Sequence, residues 1–197
     1  FTEDFENWAS VCSTSDVPSL NWRNTPYSGN NSWRRDDQGS TASWTNISTG
    51  AYTPAGSNSS AHSARFNSKA TSGSQGSLDL YLDMSTATGP SRLTFDYINT
   101  SGTDVLGVWV STSGGAAGTF QQIGSNLGVA TAWGSKTFDF SSTSATTVVR
   151  LLATSDAGST DIGLDNFKIA PAPSCLPPFN LAAIGATATT GSLSWTA

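Results

Sequence analysis

Two carboxylates at the start of this sequence are spaced so that they could do chemistry. In Phe1-Thr2-Glu3-Asp4-Phe5-Glu6-Asn7, Asp4 and Glu6 stand two positions apart, and on an extended strand such residues share a face about 7 Å apart. A pair of hard oxygen donors can ligate a cation or, across a cleft, serve as acid and base on a glycosidic bond. Asp79 and Asp83 offer a second spacing of that kind, but acids on an outer strand face are usually surface groups. His62, between Ala61 and Ser63, is the only histidine. A lone histidine reads as a hydrogen-bonding structural residue rather than a triad base, and zinc hydrolysis lacks its nitrogen and sulfur ligands. Asp36-Asp37 and Asp156/Asp161 add loop carboxylates that could ligate a metal. Catalysis is therefore not expected.

The aromatic residues point elsewhere. Trp22, Tyr27, Trp33, Trp44 and Tyr52 lie in a long polar stretch from Asn21 to Ser77, beside Arg34, Arg35, Asp36 and Asp37. A ring in such sequence either packs under a loop or meets a ligand. Stacked on a sugar, with polar neighbours bonding its hydroxyls, Trp22, Trp33, Trp44 and Tyr52 are the expected ligand contacts. Packing of the segment against the rest of the domain is the competing reading. Trp109 and Trp133 fall in or beside strands and are assigned to the core or to a sheet face.

The elements that must position these residues are strands. Leu78, Leu80, Leu82 and Met84 alternate with Asp79, Tyr81 and Asp83, and Leu93, Phe95 and Tyr97 alternate with Thr94 and Asp96. Val105–Val110 is apolar nearly throughout, as in a strand covered on both faces. Further strands are expected at 120–123, 135–140, 148–153 and 162–169, with short ones near 43–47 and 63–67. Gly, Ser, Asn and Asp fill the gaps. Short strands at regular spacing indicate an all-β, antiparallel two-sheet sandwich.

Composition narrows the setting. Charged residues make up 12% of the chain, about half the usual share, with nine Lys and Arg and a net charge of −5. A surface so poor in cations is unsuited to a phosphate backbone, so no nucleic acid is expected. No apolar run is long enough for a membrane span, and the opening residues lack a signal-peptide pattern, so the chain reads as mature and soluble. Cys12 and Cys175 fit no metal spacing and form either a structural disulfide of a secreted protein or two free thiols. At Pro171-Ala172-Pro173-Ser174 and Pro177-Pro178 the sequence turns into a linker. The chain therefore divides into a domain over 1–170, a linker over 171–178 and a remainder over 179–197.

The opening motif, Trp8, Asn21-Trp22-Arg23, Ser63-Ala64-Arg65-Phe66 and the closing Ile162-Gly163-Leu164-Asp165-Asn166-Phe167-Lys168-Ile169 together resemble a MAM-type jelly roll, in particular the bacterial cleaved-adhesin version. The remainder, with Phe179-Asn180-Leu181 and Gly191-Ser192-Leu193-Ser194-Trp195, looks like the first two strands of a fibronectin type III domain. About 20 residues are too few for that fold, so the sequence is read as ending inside it.

The resemblance implies a jelly-roll sandwich whose first and last strands are neighbours, with a structural metal ion and no catalytic activity. Asp165 then joins Asp4 and Glu6 as a Ca²⁺ ligand. It also implies that Cys12 and Cys175, each just beyond one of those strands, can meet in a disulfide if the Pro-rich segment folds back. Family members act in adhesion or target secreted peptidases and polysaccharide hydrolases. The cysteines of animal MAM domains are missing, so homophilic adhesion does not transfer. The expected function is a secreted or cell-surface binding module for a polysaccharide or an extracellular protein, beside adjacent domains of the same polypeptide. The alternative is a Ca²⁺-stabilised spacer.

Overall fold

Alternation of apolar and polar residues builds the central strands. In β5 (Gln75–Leu82) and β6 (Ser91–Asn99), Leu78, Leu80, Leu93, Phe95 and Tyr97 are buried on one side. β7 (Val105–Ser111) contributes Leu106, Val108 and Val110, and β10 (Thr147–Thr154) contributes Val149, Leu151 and Ala153. β11 (Ile162–Pro171) changes phase midway. Ile162 and Leu164 point inward, a register shift falls between Asp165 and Lys168, and Phe167 and Ile169 then take over the inward face. An extra residue in a strand produces such a shift, and Asn166, at φ 49°, marks it.

The computed structural model describes residues 1–9, 16–38, 44–46, 52–173, 179–187 and 189–196. Both cysteines and residues 174–178 lie outside that range. β1 (Thr2–Glu3), β2 (Trp22–Thr25), β3 (Trp33–Arg35), β4 (Ala64–Phe66), β8 (Gln121–Gln122) and β9 (Ala130–Phe140) complete the domain. One sheet has six strands in the order β3-β4-β11-β6-β9, with β1 also on β11, and the other has five in the order β2-β5-β10-β7-β8. Every pairing is antiparallel. The fold is an all-β jelly-roll sandwich, and no α-helix occurs among the described residues. β12 (Phe179–Ala186) and β13 (Gly191–Thr196) pair as an antiparallel hairpin.

The stretch from 21 to 77 is more ordered than its composition predicts. It holds β2, β3 and β4, the last within the expected 63–67. Around Trp44, where a strand is expected, the described residues 44–46 are not in a strand. Asn30 Oδ1 instead accepts the backbone N–H groups of Thr45 (2.7 Å) and Asn46 (3.1 Å), so a side chain does the work of a partner strand.

Candidate functional site

β4 pairs with β11 over residues 162–164 and β1 pairs with it over 167–168, which leaves a gap at Asp165. The turn at Ser57–Ser60 closes that gap. Asp165 Oδ2 accepts from Ser57 N (2.7 Å) and Ser60 Oγ (2.6 Å), and Oδ1 accepts from Asn166 N (2.7 Å). Asp96 Oδ2 lies beside it, accepting from Ser57 Oγ at 2.7 Å. Burial raises the Asp165 carboxyl above its usual range, against the pull of these donors.

Asp4 and Glu6 do not share a strand face with each other. β1 ends at Glu3 because Phe5 adopts φ 60° and turns the chain, breaking the alternation expected across 1–6. Asp4 Oδ1 then accepts from Glu6 N (3.2 Å), while Glu6 Oε1 reaches His62 N (2.8 Å). The described residues that bring three acidic or histidine ligand atoms within 4.8 Å of one another are Asp36, Asp37 and His62, not Asp4, Glu6 and Asp165. His62 Nδ1 lies 3.0 Å from Asp36 Oδ1, and Arg35 Nε donates to Asp37 Oδ1 at 2.8 Å.

The four rings assigned to ligand contact are buried. Trp22, Trp33, Trp44 and Tyr52 are 0, 0, 3 and 5% exposed, so none presents a face to solvent in this structure. Trp22 packs edge-on against Phe167 and Phe1. Trp33 Nε1 donates to Gly76 O (3.0 Å) and Trp44 Nε1 to Ser32 O (3.1 Å). Trp44 also covers the guanidinium of Arg65, which is ion-paired with the fully buried Asp161 at 2.5 Å. Tyr52 hydroxyl bonds Ser63 Oγ at 2.9 Å, and its ring lies so close over β11 that a Cβ at Gly163 would stand 2.5 Å from it. Polar sequence surrounds Trp33, Trp44 and Tyr52 because their polar edges need partners, not because their faces meet water, whereas Trp22 Nε1 is buried with no hydrogen-bond partner among the described residues. Tyr52 also meets Trp133 edge-on at 5.3 Å, and Trp133 Nε1 donates to Pro54 O at 2.9 Å. Trp133→Phe keeps the ring and deletes that donor. It is expected to cost about 1 kcal/mol in urea unfolding, and an unchanged midpoint would count against the bond.

Aromatic residues do reach the surface on the outer face of the five-stranded sheet. The register places Arg23 opposite Asp79, Asp79 opposite Arg150, Arg150 opposite Trp109 and Trp109 opposite Gln122. One row thus crosses all five strands. Arg150 Nε and Nη2 grip Asp79 Oδ1 and Oδ2 at 2.9 and 2.7 Å, which raises the arginine pKa further and holds the fork rigid. The guanidinium carbon lies 3.8 Å from the centre of the Phe120 ring, and that of Arg23 lies 5.4 Å from Tyr81. Trp109 is half-buried on the same face. A Cβ at Gly107 would fall 2.7 Å from Trp109 Nε1, so the indole extends over that glycine. Trp109, Phe120, Arg150 and Leu152 line an open cavity of ≈ 400 Å³. Flat rings beside fixed polar forks can hold a ring-shaped ligand with an apolar face and polar edges. Asp79 is occupied by Arg150, which removes the Asp79/Asp83 pair from consideration as a hydrolytic couple.

Trp109 is legible in the sequence as a strand residue, but its exposure is not. Val105–Val110 reads as covered on both faces, whereas only Leu106, Val108 and Val110 join the core. Arg150 among β-branched and apolar neighbours is the sequence signal that the opposite face carries polar groups.

No family model matches this chain. No curated protein matches it either. Solved structures do share its fold. The K1 cleaved adhesin domain of Lys-gingipain from Porphyromonas gingivalis W83 aligns with a TM-score of 0.57 at 16% identity, over 88% of this chain and 98% of that one. The K2 cleaved adhesin domain of Lys-gingipain gives 0.54 at 17%, over 87% and 98%. The CBM22-1 xylan-binding domain of Paenibacillus barcinonensis Xyn10C gives 0.50 at 14%, over 88% and 95%. The chain is therefore a jelly-roll domain of the architecture found in cleaved adhesins and carbohydrate-binding modules. No helix among its described residues is long and apolar enough to cross a membrane.

Proposed function

We propose that this chain is a non-catalytic, secreted binding module that takes a polysaccharide along the outer face of its five-stranded sheet. The observation that carries this reading is the row Arg23, Asp79, Arg150, Trp109 and Gln122, flanked by Phe120 and Tyr81. Rings stack on the C–H faces of sugars, and the arginine and glutamine edges bond hydroxyl groups. One similar structure is named as a xylan-binding domain, which makes plant cell-wall polysaccharides the first ligands to try. Affinity electrophoresis through gels containing soluble xylan, galactan or pectin tests the proposal. Retardation by at least one of them is expected, and unretarded migration in all three would overturn the reading.

We further propose that the module is MAM-like, holds a structural Ca²⁺ through Asp165, Glu6 and Asp4, and leads into a fibronectin-type neighbour. A buried carboxyl at Asp165, next to Asp96 and between two strand ends, supports the ion, and its donors are all hard oxygens. Glu6 accepts from His62 N, just beyond the Ser57–Ser60 turn whose donors hold Asp165. The β12–β13 hairpin supports the downstream neighbour. At ten times its dissociation constant, Ca²⁺ is expected to stabilise the chain by about 1.4 kcal/mol. Calorimetry with and without chelator checks this, and identical melting curves would remove the ion from the account.

A further inference from the structure

Two acidic turns meet where β6 passes into β7 and β10 into β11. The first is Asn99-Thr100-Ser101-Gly102-Thr103-Asp104 and the second runs from Ser155 to Asp161. Thr160 Oγ1 donates to Ser101 O at 2.6 Å and ties the turns together. Asp156 accepts from Thr103 N on Oδ2 and from Gly158 N on Oδ1, both at 2.6 Å. Gly102 has φ +105°, and a Cβ there would stand 2.6 Å from Asp156 Oδ2 and 3.0 Å from Asp104 Oδ1. The two carboxylates therefore flank one point.

Nothing cationic answers them. No Lys or Arg among the described residues pairs with Asp104 or Asp156, while neighbouring Asp161 is taken by Arg65. Asp104 is only 1% exposed, and burial, with Asp156 adding to it, pushes its carboxyl up to about 6. Its oxygens accept from the Ser68 hydroxyl and from Asn99 Nδ2 (3.1 Å). Each still has a free lone pair.

Asn99 supplies the independent observation. The residue is 0% exposed and is turned onto Asp104 by two Nδ2 bonds, to O at 3.2 Å and to Oδ1 at 3.1 Å. Its own Oδ1 is buried and meets no donor. A buried acceptor without a donor costs roughly 1–3 kcal/mol, and it stands beside a desolvated carboxylate with a second carboxylate facing it. Each of these three unfavourable features is relieved by the same thing, a cation. Every ligand atom is oxygen, and they come from the end of β6 and from the two turns rather than from one regular element. Ca²⁺ accepts such sets, whereas Mg²⁺ demands a near-ideal octahedron.

We propose that Asp104, Asp156 and Asn99 bind a Ca²⁺ ion that joins the two turns, with no carboxylate in common with the ion proposed at Asp165. The test is equilibrium dialysis of the full chain against about 1 mM Ca²⁺, the range of extracellular calcium sites, followed by elemental analysis. Asp156→Asn is expected to bind one ion fewer per chain than the unaltered protein. Asp104→Asn, which has the shape of the protonated acid and so preserves the buried packing, is expected to lose the same ion. Glu6→Gln leaves these turns intact and retains it, which separates this site from the other. Equal ion counts for the unaltered protein and Asp156→Asn, or no ion in the unaltered protein, would overturn the proposal.

Discussion

Trp22→Ala is expected to destabilise the domain by about 3–5 kcal/mol, the range for deleting a large buried aromatic. The side chain is fully buried, and its contacts belong to both sheets. Trp22 is on β2 of the five-stranded sheet, while Phe1 precedes β1 and Phe167 lies on β11 of the six-stranded one. Its ring centroid is 5.2 Å from that of Phe167, 5.9 Å from Phe1 and 6.2 Å from Phe5. Alanine would leave a cavity among rigid rings that cannot collapse without moving a strand. Against a total stability of about 5–15 kcal/mol, the loss is large. Urea unfolding followed by circular dichroism reads it, and Trp22→Phe, which refills part of the cavity, should fall between the two. A ligand-contacting ring would behave differently, with a normal unfolding midpoint and weakened binding. That outcome would return Trp22 to the surface role that its polar neighbourhood suggests.

The contrast shows what the sequence reveals and what it hides. β5, β6, β10 and β11 are readable because strand burial repeats every second residue, so Leu78 and Leu80 or Leu93, Phe95 and Tyr97 declare their own face. The bulge in β11 is not, since Asp165-Asn166 looks like two more positions in a regular strand. Trp33 and Trp44 hide for another reason. The partner of Trp33 Nε1 is Gly76 O, 43 residues away, and burial fixed by so distant a contact leaves no local pattern. The candidate site is dispersed still further, because Arg23, Asp79, Trp109 and Arg150 come from four strands and become neighbours only through register. Carboxylates are easier to notice than to place. Asp4, Glu6 and Asp165 stand out in the sequence, but one residue at φ 60° sends the first two in different directions.

Trp109→Ala is expected to lower affinity for whichever polysaccharide is bound at least about 100-fold, near 3 kcal/mol, while the protein stays folded. The indole is half-buried on the outer face of β7, so its removal opens no cavity in the core, which on that strand is filled by Leu106, Val108 and Val110. What it removes is the broad aromatic surface of the row, next to Arg150 at its centre, whose own ring contact is Phe120 at 3.8 Å. Central, partly desolvated aromatics carry most of the energy of a binding face, and rim residues carry little. Arg92→Ala on the other sheet supplies the control. Its pair with Asp139 is solvent-exposed at 34% and 46%, so its loss should leave binding unchanged. Gly107→Ala adds a second arm. A methyl group 2.7 Å from Trp109 Nε1 forces the indole off the strand without removing it. If ring position matters as well as ring presence, this variant should also bind more weakly. Isothermal titration gives the affinities and thermal melts confirm the folds. Trp109→Ala binding like the unaltered protein would place the ligand on another surface and leave the Arg23–Gln122 row a purely structural feature.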